Sequence, residues 1–384
     1  MLKQHIVLIM PLSAYEWGTE NCGGVDSVCQ MFGEYLVSQV NPEFKYTIIG
    51  LDPQSKTPYT GEVISLAKHV DFIWLSCSSK HTGFKIPGIV WQNWHIRKLL
   101  KKLQPDLVHT HFWSSLLGCG HNGRSVVTIH SYKKIGRHSF GFLNNLFYEK
   151  IIPILTKSLG DKKIVVGKIL KDALLKDGIK SEIIYNPIDD SFFNASKKPP
   201  RSSNNSLQFI TCSLINPKKN IEQAIFLIAK LKNSGFNCHL NIVGGVSNAL
   251  YSQNLINTVE EQRLCSEISF LGKKNKRELV ELYSNADCGI FTSKEETFGL
   301  VPLEIIASGL PLLCTEVGIL SEKKSFFGSL GVLYLNENTT VDQINKCINE
   351  HDSKLSVDVL KNEFNVSEII KKYHFLYYQL LEKK

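Results

Sequence analysis

No stretch of this 384-residue chain approaches the roughly 18–20 consecutive apolar residues that a membrane-spanning helix needs. With a mean hydropathy of -0.07 and 43% hydrophobic residues, the composition is that of an ordinary globular protein. The apolar opening His5-Ile6-Val7-Leu8-Ile9-Met10 is too short for a secretory leader and has no small-residue cleavage site behind it. It reads as a first buried strand, and a cytoplasmic protein is expected. Paired cysteines are also missing. The ten cysteines stand singly, with no CxxC spacing, which argues against zinc and thiol-exchange chemistry. Acid is in deficit: 44 Lys and Arg against 36 Asp and Glu leave a formal charge of +8. That excess suits nucleic acid, an anionic membrane surface or a nucleotide substrate, and does not choose among them.

What the chain does have is alternation. Short apolar runs and helical periodicity follow one another from Leu2 to about Asp190 and restart at Leu207, which predicts two doubly wound α/β domains. Between them Lys197 to Ser206 is polar, carries Pro199-Pro200 and shows no periodicity, so it reads as a linker. The expected division is 1–196, a linker at 197–206, 207–365, and a final helix over 366–384. Ile369, Ile370, Tyr373, Leu376, Tyr377, Leu380 and Leu381 fall on one face of that helix.

The most informative stretch is Ser293 to Cys314, SKEETFGLVPLEIIASGLPLLC. It reads as a strand end, a loop, a helix over about Val301–Ser308, and a further strand from Pro311. Pro302 is tolerated in a first helical turn, and Gly309 is a stop signal. The unpaired N–H groups at such a helix start favour an anion. Glu296 in the loop and Glu304, placed in the first turn, can approach one ligand from two sides. Taken singly, Glu304 is a dipole-stabilised acid worth about 0.3–1 kcal/mol and Glu296 a solvated one.

The joint pattern E-T-F-G-L-V-P-L-E, then I-I-A-S-G-L-P, resembles the signature of the retaining family 4 glycosyltransferases, Glycosyl transferases group 1, of GT-B fold. That resemblance implies two Rossmann-like domains facing each other across a cleft, with the C-terminal helix returning to the first. It implies that the amides of Phe298, Gly299 and Leu300 hold the donor diphosphate, that Glu304 accepts hydrogen bonds from ribose hydroxyls, and that Glu296 lies by the donor sugar. Lys219, with Lys218 beside it, matches a family lysine that neutralises the diphosphate. The family arginine five residues earlier is absent, Leu214 standing there, or Ser213 if the loop carries an extra residue. Gly244 resembles the family's glycine turn, and Leu271 the strand end that seats the nucleobase.

In the first domain, Gly23-Gly24 opening a helix after a strand lets backbone approach a ligand. The family places a GGV there, beneath the donor. His111 and His130 end two strand-like runs and so face the cleft by the rule for open parallel sheets. Val126-Val127-Thr128-Ile129-His130-Ser131 matches a family segment whose histidine approaches the reacting sugars, and Asn186-Pro187-Ile188-Asp189 resembles the family's hinge segment on the acceptor side. Ser131 to Lys163 is basic and interleaved with aromatics. It reads as a core helix with a solvated basic rim, or as a contact for anionic lipid that Arg97, Lys98, Lys101 and Lys102 could extend. No base-reading motif suggests nucleic acid.

The expected activity is transfer of a sugar, with retention, from a UDP- or GDP-linked donor to an acceptor hydroxyl, in surface polysaccharide (lipopolysaccharide) or lipid-linked glycan synthesis. His130, Glu296 and Lys219 are the catalytic candidates. No D-x-D motif is present, so neither metal nor cofactor is expected. Two alternatives stay open: a non-catalytic nucleotide-sugar-binding subunit, and a nucleotide-sugar epimerase of the same fold.

Overall fold

A computed structural model describes residues 3–12, 23–52, 61–77, 87–120, 124–136, 145–195 and 206–382. The expected linker lies outside these residues except for Ser206, as do Ser13 to Cys22 and, within the basic stretch, residues 137–144. The strands are β1 (His5–Pro11), β2 (Lys45–Asp52), β3 (Ile64–Ala67), β4 (Val70–Ser76), β5 (Leu107–Thr110), β6 (Arg124–Ile129), β7 (Lys162–Val165), β8 (Glu182–Ile183), β9 (Leu207–Cys212), β10 (Cys238–Val243), β11 (Ile268–Gly272), β12 (Cys288–Phe291), β13 (Leu312–Cys314) and β14 (Val332–Tyr334). Helices of eight residues or more are α1 (Gly24–Ser38), α2 (Gly88–Leu103), α3 (Lys168–Lys176), α4 (Ile221–Asn233), α5 (Ala249–Glu261), α6 (Lys276–Asn285), α7 (Leu300–Ala307), α8 (Val341–Asn349), α9 (Ser353–Phe364) and α10 (Val366–Glu382).

Two sheets result, ordered β3-β4-β2-β1-β5-β6-β7-β8 and β11-β10-β9-β12-β13-β14. Their central strands are continuous apolar runs because helices cover both faces: Ile6 to Met10 of β1 and all of β12 are buried. The second sheet is parallel throughout. In the first, β3 runs antiparallel to β4, a departure from the all-parallel expectation. The four half-exposed residues of β3 form an edge hairpin that needs no crossover helix.

The chain divides into one unit of Met1–Pro187 with Val366–Lys384, and a second of Ile188–Asn365. The division therefore falls ahead of the boundary expected at 196, for reasons visible in the contacts of residues 188–195. The Ile188 N–H donates to Phe364 O (2.8 Å), Lys276 Nζ donates to Asp189 Oδ2 (2.5 Å), and the rings of Phe192 and Tyr283 lie 5.8 Å apart. That segment is held by the second unit before the polar stretch begins. The C-terminal helix α10 belongs to the first unit, where Tyr373 meets Phe32 of α1 at 5.4 Å and His374 Nε2 pairs with Tyr46 Oη at 2.8 Å.

Candidate active site

In each sheet the strand order reverses beside the first strand, and the crevice at such a switch point is where open α/β sheets take ligands. In the second unit the reversal lies between β9 and β12. The loops leaving these two strands are tied together. Lys294 N–H donates to Lys218 O (2.8 Å), Thr292 Oγ1 to Lys219 O (3.2 Å) and Ser293 Oγ to Lys218 O (3.3 Å). This lacing places Lys219 Nζ in an ion pair with Glu296, whose Oε1 also accepts from Ser293 Oγ at 3.0 Å. Lys218 pairs instead with the exposed Glu295. Phe298 is buried, and Gly299 stands at φ 92 as the N-cap of α7 with no side-chain cap, which leaves the helix's first amides to whatever occupies the crevice. The helix begins at Leu300, one residue before the expected start.

Glu304 is the fifth residue of α7, not a first-turn acid, so the dipole account of it falls away. It is half-buried, and burial pushes its carboxyl up to about 7, with Asp189 adding to the rise and Lys276 opposing it. A folded-state value above the unfolded one means that stability is present in full below pH 4.5 and declines as pH rises through 7. Glu304→Gln should abolish that decline and gain about 2–3 kcal/mol at pH 8 relative to wild type. Urea titrations at pH 5 and pH 8 measure it; a wild type equally stable at both would contradict the placement of this carboxyl.

Two other elements of the second unit frame the crevice. Gly244, at φ +149, closes the β10 turn, where an added Cβ would stand 1.7 Å from Ser213 O. Leu271 lies half-buried near the end of β11, whose last residue, Gly272, accepts the Gly244 N–H at 2.9 Å. Leu214 is half exposed on the loop that carries Lys219.

In the first unit the switch point lies between β1 and β5. Gly23 and Gly24 are exposed at the start of α1, and nothing lies within 4 Å of a Cβ added to Gly23. Asn186 is buried just after β8. His111 and His130 follow β5 and β6, with Nδ1 of the first 3.2 Å from Nε2 of the second and their rings stacked at 5.5 Å. Beneath them His109 bridges Tyr377 Oη (2.6 Å) and Thr128 Oγ1 (2.8 Å). Burial lowers His109 to about 3, His130 to about 4 and His111 well below its usual value, so all three are neutral at physiological pH. Depressed values make stability present above about pH 6.5 and lost as pH falls toward 4. His111→Phe should lower the acid-unfolding midpoint by about half a pH unit, read by tryptophan fluorescence; an unchanged midpoint would show that His111 does not set it.

These features have a counterpart in known sequences. Residues 192–356 match the family Glycosyl transferases group 1, and residues 23–192 match Glycosyltransferase Family 4. The chain belongs to glycosyltransferase family 4. The chain is 26% identical over 240 residues to the glycogen synthase of Mycobacterium tuberculosis, covering 58% of this chain and 56% of that one. It is 25% identical over 215 residues to the O-antigen chain mannosyltransferase RfbU of Salmonella typhimurium, covering 55% and 56%. It thus spans little more than half of either relative. The GT-B fold is shared with sucrose-phosphate synthase of Thermosynechococcus elongatus, at a TM-score of 0.74 and 20% identity over 100% of both chains. It is shared also with Anabaena HepE in complex with UDP and glucose, at 0.68 and 14% over 98% of this chain and 99% of that one.

Within this family 4 chain, sequence reasoning missed several supports of the site. Asp189 and Lys276 set the field at Glu304 and come from distant segments. Thr315 Oγ1 donates to Ser293 O (2.6 Å), pinning the strand end before Glu296. Gly318, at φ +56, lets the Glu296 loop close, since a Cβ there would stand 2.3 Å from Phe298 O and 3.0 Å from Glu296 Cβ. The basic stretch is also less free than its sequence implied: Lys133 pairs with Asp177 (2.7 Å), Lys162 with Glu182, and Lys163 Nζ donates to Gly160 O (2.7 Å). No helix among the described residues is long and apolar enough to cross a membrane, and no cluster of three metal-ligating side chains occurs among them.

Proposed function

We propose that the chain transfers a sugar from a nucleoside diphosphate donor to an acceptor hydroxyl with retention of anomeric configuration. The observation that carries this reading is the convergence of Lys219, Glu296 and the uncapped start of α7 at the switch point of the second sheet. In the reaction the bond from the anomeric carbon to the diphosphate oxygen breaks and a bond to the acceptor oxygen forms on the same face. The acceptor proton passes to the departing phosphate oxygen. Lys219 and the amides of Phe298, Gly299 and Leu300 meet the charge that develops on the diphosphate, a type of contact worth roughly 3–4 kcal/mol of barrier each. Glu304 takes ribose hydroxyls, Glu296 orients the donor sugar, and His130, neutral, hydrogen-bonds rather than charges the reacting pair. Uridine is the first base to try, since Anabaena HepE, of the same fold, is solved with UDP. A surface polysaccharide or lipid-linked glycan is the proposed product class, made at the inner face of a membrane.

One observation favours a second reading. Leu214 offers no charge where the family carries an arginine, which suits a subunit that binds a nucleotide sugar without turning it over. Incubating UDP-, GDP- and ADP-sugars with wild type and Glu296→Ala, and measuring released nucleotide and free sugar, separates the two. Slow hydrolysis of one donor, lost in the variant, supports the transferase. Donor binding with neither hydrolysis nor transfer to any acceptor would overturn it in favour of the binding subunit.

A further inference from the structure

The first unit has its own switch point, between β1 and β5, and a cavity of about 230 Å³ lies there. Its apolar lining includes Leu51 at the end of β2, Ile89 in the first turn of α2, Phe112 after β5, and Tyr148. Gln92 and Ser114 join them, beside the Tyr148 hydroxyl and the Cys77 thiol. Gln92 is buried and uses its amide N–H on Ser115 Oγ at 2.9 Å. Ser114 is 1% exposed, and its Oγ has no hydrogen-bond partner among the described residues. A buried hydroxyl left unmatched is penalised, and here a ligand in the cavity is what can satisfy it. Backbone closeness in the wall is built in: a Cβ on Gly88 would stand 2.7 Å from Cys77 O.

We infer that this cavity takes the hydrocarbon chain of a lipid-linked acceptor where it joins the head group, the linking oxygen accepting the Ser114 hydroxyl. The inference rests on the transferase reading only for the word acceptor. Volume and chemistry narrow the occupant. The space holds about eight methylene-sized groups, each filling roughly the 30 Å³ of a water. A sugar ring would fit by size, but its several hydroxyls would face mostly Pro11, Leu51, Ile89 and Phe112, and each one buried unmatched is penalised. The neighbouring surface is of the same character. Val90 and Trp94 of α2 are 56% and 58% exposed, and Leu146, Ile151 and Ile154, on the segment that supplies Tyr148, are 42%, 41% and 67% exposed. Lys150 and Lys157 are interspersed among the latter group, and Lys98 Nζ lies 5.9 Å above the Trp94 ring. Apolar side chains bordered by lysines suit the continuation of a lipid chain and an anionic head group.

The test titrates the whole chain with n-octyl β-D-glucoside below its micelle concentration and with methyl β-D-glucoside, using calorimetry, with UDP titrated in parallel. Octyl glucoside should bind and methyl glucoside should not. Ile89→Trp, which fills the cavity, should weaken octyl glucoside binding at least tenfold while leaving UDP binding unchanged. Equal binding of both glucosides would mark a sugar site and overturn the inference, as would octyl binding indifferent to Ile89→Trp. Should that variant not fold, photo-crosslinking of wild type with a diazirine-bearing octyl glucoside decides. Labels on Ile89, Phe112 or Tyr148 uphold the inference, and labels confined to other segments overturn it. Failure of UDP binding or of donor turnover would count against the transferase reading alone, because the glucoside titrations need neither.

Discussion

Lys219→Ala should lower donor turnover by about a hundred- to a thousandfold, with a much smaller change in the affinity for the nucleotide sugar. The charge it would meet is largest when the bond to the diphosphate is breaking, so its loss weighs on the transition state more than on the bound donor. Lys218 does not stand in for it, its side chain and its partner Glu295 being 39% and 62% exposed against 23% and 16% for Lys219 and Glu296, and Lys218→Ala should cost less than tenfold. Folding is expected to survive Lys219→Ala, because Glu296 keeps its bond from Ser293 Oγ at 3.0 Å and is not wholly buried. Released nucleotide, measured at saturating donor for both variants, is the readout. Turnover by Lys219→Ala within threefold of wild type would remove Lys219 from the chemistry and with it the main support for leaving-group stabilisation.

Gly244→Ala is expected to destabilise the second unit by about 4 kcal/mol or more, an effect in the exceptional range for a point substitution. The methyl would collide with Ser213 O at 1.7 Å, on a backbone at φ +149 that side chains rarely adopt. Relief by movement is blocked. Ser213 N–H donates to Val243 O, Gly244 N–H to Gly272 O and Ile215 N–H to Gly245 O, each at 2.9 Å, so shifting either strand end breaks ladder bonds worth about 1 kcal/mol apiece. At about 2–4 °C per kcal/mol for a unit of this size, the melting temperature should fall by roughly 8 °C or more. Gly245→Ala is the control: the nearest atoms to its Cβ lie 3.9 Å away, and its melting temperature should move by no more than about 2–4 °C. A Gly244→Ala protein that melts with wild type would show that this close approach is absent in solution. Since Ser213 leads into the loop of Lys219, any Gly244→Ala protein that still folds should also bind UDP more weakly.

Some of this architecture was legible because it is local. Gly299 before Pro302 and Gly309 before Pro311 bracket a helix by backbone chemistry alone, and the helix found differs from the expected one by a single residue at each end. The apolar stripe of α10 was readable for the same reason: all seven residues assigned to it are buried. The division at Pro187 was not, since it depends on Ile188 and Asp189 finding Phe364 and Lys276, partners far away in the chain. Nor was the short strand β3, which has too few buried residues to show a period.

By itself the sequence determined the two-sheet α/β class, because glycine and proline signals and apolar periodicity act over a few residues at a time, and the Ser293 to Cys314 motif carried the resemblance to the family. Only the tertiary structure decided the states of the crevice residues. It pushed the Glu304 carboxyl up to about 7 through burial and Asp189, paired Lys219 rather than Lys218 with Glu296, and brought carbonyls from other segments close against Gly244 and Gly318. It also left the Ser114 hydroxyl without a partner among the described residues, in a largely apolar cavity. Desolvation, ion pairing and close backbone contact depend on distance in space, and a linear sequence carries no distances between residues far apart along it.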